Sequence, residues 1–181
     1  MHEFSKDLIE RIMLINGFST DNFNFDEIQH VPMHSFKLAT SEQPILFVEG
    51  LQCCVSLYAY SPTFAFAAHI NPVVIRNDEI EIKDNKIYCK RLYDLYKSII
   101  DSKADSIKVG VMLGFNPTKE TIKLVNYLNH NLDLMIKYLA GQNITVTKLE
   151  TKTRPIFLVD MRRDKIVTPS SSDFKQYEKR F

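Results

Sequence analysis

The sequence predicts an α+β fold, a mixed β-sheet sandwich flanked by helices, and three observations predict it. Short apolar runs bounded by turn residues recur between positions 36 and 70, and a longer run at 107–113 alternates apolar with other residues. Three further segments, near 5–16, 92–100 and 118–139, place apolar residues at helical spacing.

Taken in order, residues 5–16 read as an amphipathic helix capped by Ser5 and closed by Asn16-Gly17, with Leu8, Ile9, Ile12, Met13 and Ile15 as its stripe. It is expected to dock on the core, a partner-binding arm being the alternative. Residues 18–29, rich in Asn, Asp and Phe, read as an irregular connector. Strands are expected at 36–39, 45–49, 51–60 and 64–70, then a hairpin of 79–83 with 87–90 around Asp84-Asn85. Leu92, Leu95, Tyr96, Ile99 and Ile100 form a helical stripe, and Ile107, Val109, Val111 and Leu113 form one face of a strand. The segment 118–139 puts Val125, Leu128, Leu132, Met135 and Leu139 on one face and stops at Gly141, with Asn129-His130-Asn131 as a point where it could divide in two. No internal repeat is present. The organisation expected is an N-terminal helical extension at 1–30, a main domain at 31–169 and a flexible polar tail at 170–181.

With 181 residues the chain is long enough to bury a substantial core. Lys and Arg total 23 against 22 Asp and Glu, so no global field favours nucleic acid or an anionic membrane, and a protein partner fits better. The N-terminus lacks a signal-peptide pattern and no apolar run approaches the roughly 18 residues of a membrane span, which predicts a cytoplasmic protein without membrane insertion. Three cysteines, two of them adjacent, suit a reducing compartment rather than a disulfide framework. None of the five glycines forms a phosphate-cradling loop, clustered carboxylates are absent, and no cofactor or metal is expected. His30 and His34 have the spacing of a helical metal pair, but Pro32 lies between them and no glutamate follows the first, so they read as surface or structural residues. Cys89 stands alone. The run Met161-Arg162-Arg163-Asp164-Lys165 reads as a solvated hairpin turn, whose arginines are candidates to contact an acidic partner.

Chemistry concentrates in Leu51-Gln52-Cys53-Cys54-Val55 and Ala67-Ala68-His69, which lie on neighbouring predicted strands. A turn with Tyr60, Ser61, Pro62 and Thr63 at its tip pairs Ala59 with Phe64 and brings Cys54 opposite His69. An odd-length loop would bring Cys53 there instead. Cys53, Val55, Leu57 and Ala59 form an apolar face, whereas Cys54, Ser56, Tyr58 and Tyr60 form a more polar one, which makes Cys53 the core residue. On the second strand Ala65, Ala67 and His69 share a face where small alanines leave room for a substrate. The plain alternative is a buried cysteine beside a structural histidine.

Gly50-Leu51-x-x-Cys54-Val55, then Tyr60-x-Pro62 and Ala68-His69-x-x-Pro72, resembles the signature of CheD, the chemoreceptor glutamine deamidase family of bacterial chemotaxis. Downstream, Asn131-Leu132, Leu139, Asn143-Ile144-Thr145-Val146, Arg154 and the segment 156–167 run in a similar order, so the resemblance covers about residues 31–168. It implies a CheD-like deamidase domain with Cys54 and His69 as catalytic residues. It also implies a protein substrate, with chemoreceptors as candidates, and a CheC-like phosphatase as candidate partner. The family typically has a glycine where Gln52 stands and a catalytic threonine where Val48 stands. The hairpin loop is also shorter here, and a central glycine pair reads Leu113-Gly114. In related deamidase toxins of the cytotoxic necrotizing factor type the third contact to histidine is a main-chain carbonyl, so the Val48 main chain, or a neighbour such as Glu49, is the expected third member.

An imidazolium beside Cys54 would lower the thiol pKa from about 8.5 and supply a thiolate to attack a carboxamide carbon. Main-chain N–H groups near Gln52 to Cys54 are the expected oxyanion donors, and His69 the acid and base. Two other outcomes stay open: a CheD-like binding module without turnover, and a toxin-like deamidase of host GTPases.

Overall fold

A computed structural model of the chain describes residues 3–17, 24–76, 79–82 and 85–169. The expected tail at 170–181 and the first part of the expected connector lie outside the described residues. Four layers stack in the order helix, sheet, sheet, helix pair. The outer helix is α1 (Glu3–Ile15). It begins two residues before Ser5, which therefore lies inside the first turn instead of capping it. Asn16 closes the helix as expected, its side-chain Nδ2 donating to the Ile12 carbonyl at 2.7 Å, and Gly17 follows with the positive φ of 78° that favours glycine.

Beneath α1 lies a four-stranded sheet made of β1 (Ile28–His30), β3 (Ile45–Val48), β11 (Phe157–Asp160) and β12 (Lys165–Val167), in that order. Strand β1 runs parallel to β3, and its first two residues fall in the stretch read as irregular; a three-residue strand carries too little alternation to be distinguished in sequence. The second sheet is built on β2 (Phe36–Leu38), β4 (Val55–Ser61), β5 (Phe64–Ile70) and β8 (Ser106–Leu113), with β9 (Thr145–Lys148) and β10 (Lys152–Thr153) both parallel to β8. A separate hairpin pairs β6 (Val73–Arg76) with β7 (Glu79–Ile82). The last layer is α2 (Asn85–Ser102) and α3 (Lys119–Ala140).

Because successive residues of a strand face opposite ways, each sheet feeds two cores. Ile45, Phe47 and Leu158 pack under Leu8, Ile9, Ile12 and Met13 of α1, while Leu46, Val48, Phe157 and Val159 pack against the second sheet. The outer face of that second sheet, with Val55, Leu57, Phe66, Ala68, Val109 and Val111, packs against Leu95 and Ile99 of α2 and Leu128 and Leu132 of α3. Burial on both faces explains why β3, β4 and β5 read as nearly continuous apolar runs.

Two further expectations fail. Residues 87–90, expected as a strand paired with 79–83, belong to α2, and β7 pairs with β6 instead. Four residues cannot show whether their period is two or 3.6. Cys89 is accordingly an exposed helical residue whose Sγ lies 2.7 Å from the Tyr127 hydroxyl of α3. Helix α3 is also continuous through Asn129-His130-Asn131, where the fully buried Leu128 and Leu132 hold it on the sheet.

Candidate functional site

The β4–β5 hairpin turns in two residues, Pro62 and Thr63, with Ser61 paired to Phe64. Ser61 is buried and acts as a strand residue, so the four-residue tip expected from sequence is too long by two. Both neighbours of the turn therefore shift in register, and His69 stands opposite Ser56 rather than Cys54. Parity survives the shift. Cys54 precedes β4 by one residue and falls on the same side as Ser56 and Tyr58, in the core between the sheets, whereas Val55 and Leu57 face the helices.

That side is not an open substrate face. Ala65 and Ala67 pack in the inter-sheet core, opposite Tyr60 and Tyr58, and Gly110 lies on the other side of Tyr58. A Cβ at Gly110 would come within 2.5 Å of the Tyr58 hydroxyl, so the small residues make space for two tyrosine rings. Enclosure also pushes the Tyr58 phenol well above its ordinary pKa, with burial as the main cause.

His69 is 3 % exposed at the end of β5, its amide donating to Ser35 at 3.0 Å and its carbonyl accepting from His34 at 2.8 Å. Its imidazole bonds the Val31 main chain, while Nε2 is buried without a hydrogen-bond partner. Burial pushes the His69 pKa down to about 4; the Val31 carbonyl opposes this and the nearby His30 and His34 reinforce it. The ring is thus neutral near pH 7. This replaces the imidazolium expected from sequence with a neutral base.

The main-chain partner of the His69 ring is thus Val31 and not Val48. The Val48 main chain pairs with Phe157 inside the four-stranded sheet and its side chain is fully buried between the sheets. Glu49 lies 3.4 Å from His30. Sequence reasoning missed both Val31 and Ser56, whose buried Oγ has no hydrogen-bond partner. Counting a two-residue hairpin loop would have found Ser56; nothing in the local sequence marks the Val31 carbonyl.

Cys54 is 2 % exposed, Cys53 half-buried and Gln52 exposed. The segment 51–54 was expected to be the start of a strand, but its carbonyls turn to the loop after β8 instead of to a neighbouring strand. Leu51 accepts from the Phe115 amide at 3.2 Å, Gln52 from Asn116 at 3.1 Å and Cys54 from Gly114 at 3.0 Å. Cys53 accepts from the Thr121 hydroxyl at 2.7 Å. Gly114 permits this close approach, since a Cβ there would lie 2.1 Å from the Gln52 carbonyl oxygen. The Gln52 amide donates to Gly50, which removes it from the expected oxyanion donors.

The other candidates are placed elsewhere. His30 and His34 are exposed, and among the described residues no group of three or more His, Cys, Asp or Glu is arranged to hold a metal ion. The 161–164 turn joins β11 to β12, with Arg163 paired to the buried Asp160, Arg162 to Glu27, and Asp164 to Lys108 of the other sheet. No described helix is long and apolar enough to cross a membrane. No protein-family model matches the chain, and no curated protein matches it significantly.

Proposed function

We propose that this chain is a cysteine amidohydrolase that converts glutamine side chains of a protein substrate to glutamate. The observation that carries the reading is the buried His69 imidazole, bonded to the Val31 main chain and with Nε2 buried and unpartnered, on the face that Cys54 shares. A base oriented through its far nitrogen by a fixed acceptor is the arrangement nucleophilic catalysis needs.

Nε2 takes the proton of the Cys54 thiol as Sγ bonds to the carboxamide carbon and the C=O electron pair moves onto oxygen. The Cys53 amide is the main-chain donor this reading assigns to that oxyanion. The C=O re-forms as the C–N bond breaks, the imidazolium giving its proton to nitrogen; ammonia departs and a thioester remains. Water then loses a proton to Nε2, its oxygen bonds to the thioester carbon, and the C–S bond breaks with the proton returned to sulfur.

Glutamine as substrate, chemoreceptors as its candidate source and a CheC-like partner follow from the CheD resemblance alone. The reading assumes a reducing cytoplasm, where the three thiols persist. One observation favours the second reading, a binding module without turnover: Cys54 and His69 are both almost fully enclosed. Ammonia release from a glutamine-rich chemoreceptor fragment separates the two. Wild type should release it, and Cys54→Ala and His69→Ala should each lose about three orders of magnitude or more, since the pair acts as a unit. A silent wild type selects the binding module.

A further inference from the structure

The two peptide planes that flank the Cα of Cys54 are both pinned, one by the Thr121 hydroxyl on the Cys53 carbonyl and the other by the Gly114 amide on the Cys54 carbonyl. A peptide unit is planar, so fixing its carbonyl fixes the N–H at its other end as well. With both planes held, φ and ψ of Cys54 are set, and with them the direction of its Cα–Cβ bond. Of the four carbonyl contacts along residues 51–54, three use main-chain amides and only that of Thr121 uses a side chain. It is the one contact a substitution can delete.

Thr121 is well suited to hold it. It is fully buried at the third position of α3, and its Oγ1 accepts from the Thr118 amide at 3.1 Å while Thr121's own amide donates to Thr118 Oγ1 at 3.2 Å. This reciprocal cap leaves the Thr121 hydroxyl proton to point at Cys53. A cap alone would need no partner 68 residues away in sequence.

We infer that Thr121 is a positioning residue for the nucleophile, coupling the first turn of α3 to the orientation of Cys54. The inference rests on the amidohydrolase reading. Its test measures kcat, KM and melting temperature for ammonia release from the same receptor fragment. Thr121→Val should lower kcat by about tenfold or more with KM within about threefold, because a misplaced nucleophile costs rate rather than binding. Thr121→Ser, which keeps the hydroxyl, should recover most of the loss. Thr118→Ala removes the capping partner but not the bond to Cys53, so it should lower the melting temperature and leave kcat near wild type. If Thr121→Val does not fold, Thr121→Ala, the better helix former, is read in its place. An active wild type with unchanged kcat in the Thr121 variants overturns this inference alone; a silent wild type overturns the amidohydrolase reading beneath it.

Discussion

Protonating His69 would put a positive charge into a buried site, where the Val31 main chain offsets just part of the cost. Unfolded, the residue takes up its proton near the usual 6.5; folded, near about 4. Between these values the unfolded state binds more protons, so the contribution of His69 to stability is complete above about pH 6.5 and is lost as pH falls towards 4. The gap corresponds to on the order of 3 kcal/mol. His69→Gln cannot titrate, and urea unfolding should show it losing less stability than wild type between about pH 7 and about pH 4.5. Equal losses would put the acid sensitivity in other residues. At this scale the sequence placed Cys54 and His69 on one face, because side-chain parity survives an error of two in loop length. It could not name Val31, since a carbonyl acceptor is available at every residue and only the packing of the chain before β2 against β5 selects one.

Among the elements, the segment 51–54 ties Cys54 to the end of β8, and Gly114 is where the two backbones approach closely. Gly114→Ala sets a Cβ 2.1 Å from the Gln52 oxygen and 2.4 Å from that of Leu51, both main-chain atoms that cannot step aside singly. The variant should lose roughly 2 kcal/mol or more of stability, measured by denaturant unfolding, together with most of its ammonia release. A fully active, equally stable variant would mean that the loop adapts freely. Long periodic elements were legible: α3 ends at Gly141 as its stripe predicts, and the β5 boundaries match the apolar run 64–70. Short ones were not, as β1 and the first turn of α2 show, because three or four residues hold no period.

For the whole molecule, the α+β class was legible, but the second sheet changes what its polar-looking face means. Cys54, Ser56, Tyr58 and His69 face another sheet and not solvent, so the alanines beside them are packing partners of tyrosines. Sequence alternation reports that two faces differ; it does not report what covers each. Helix α1 likewise supplies one wall of a core with Ile45, Phe47 and Leu158.

The central claim, that Cys54 and not its neighbour is the nucleophile served by His69, is tested most directly by mass spectrometry of the 50–60 segment after acid quenching of the reaction with the receptor fragment. The account predicts a substrate acyl group in thioester linkage on Cys54, retained in Cys53→Ala and absent in Cys54→Ala. An acyl group on Cys53, or ammonia released by Cys54→Ala at the wild-type rate, would contradict it.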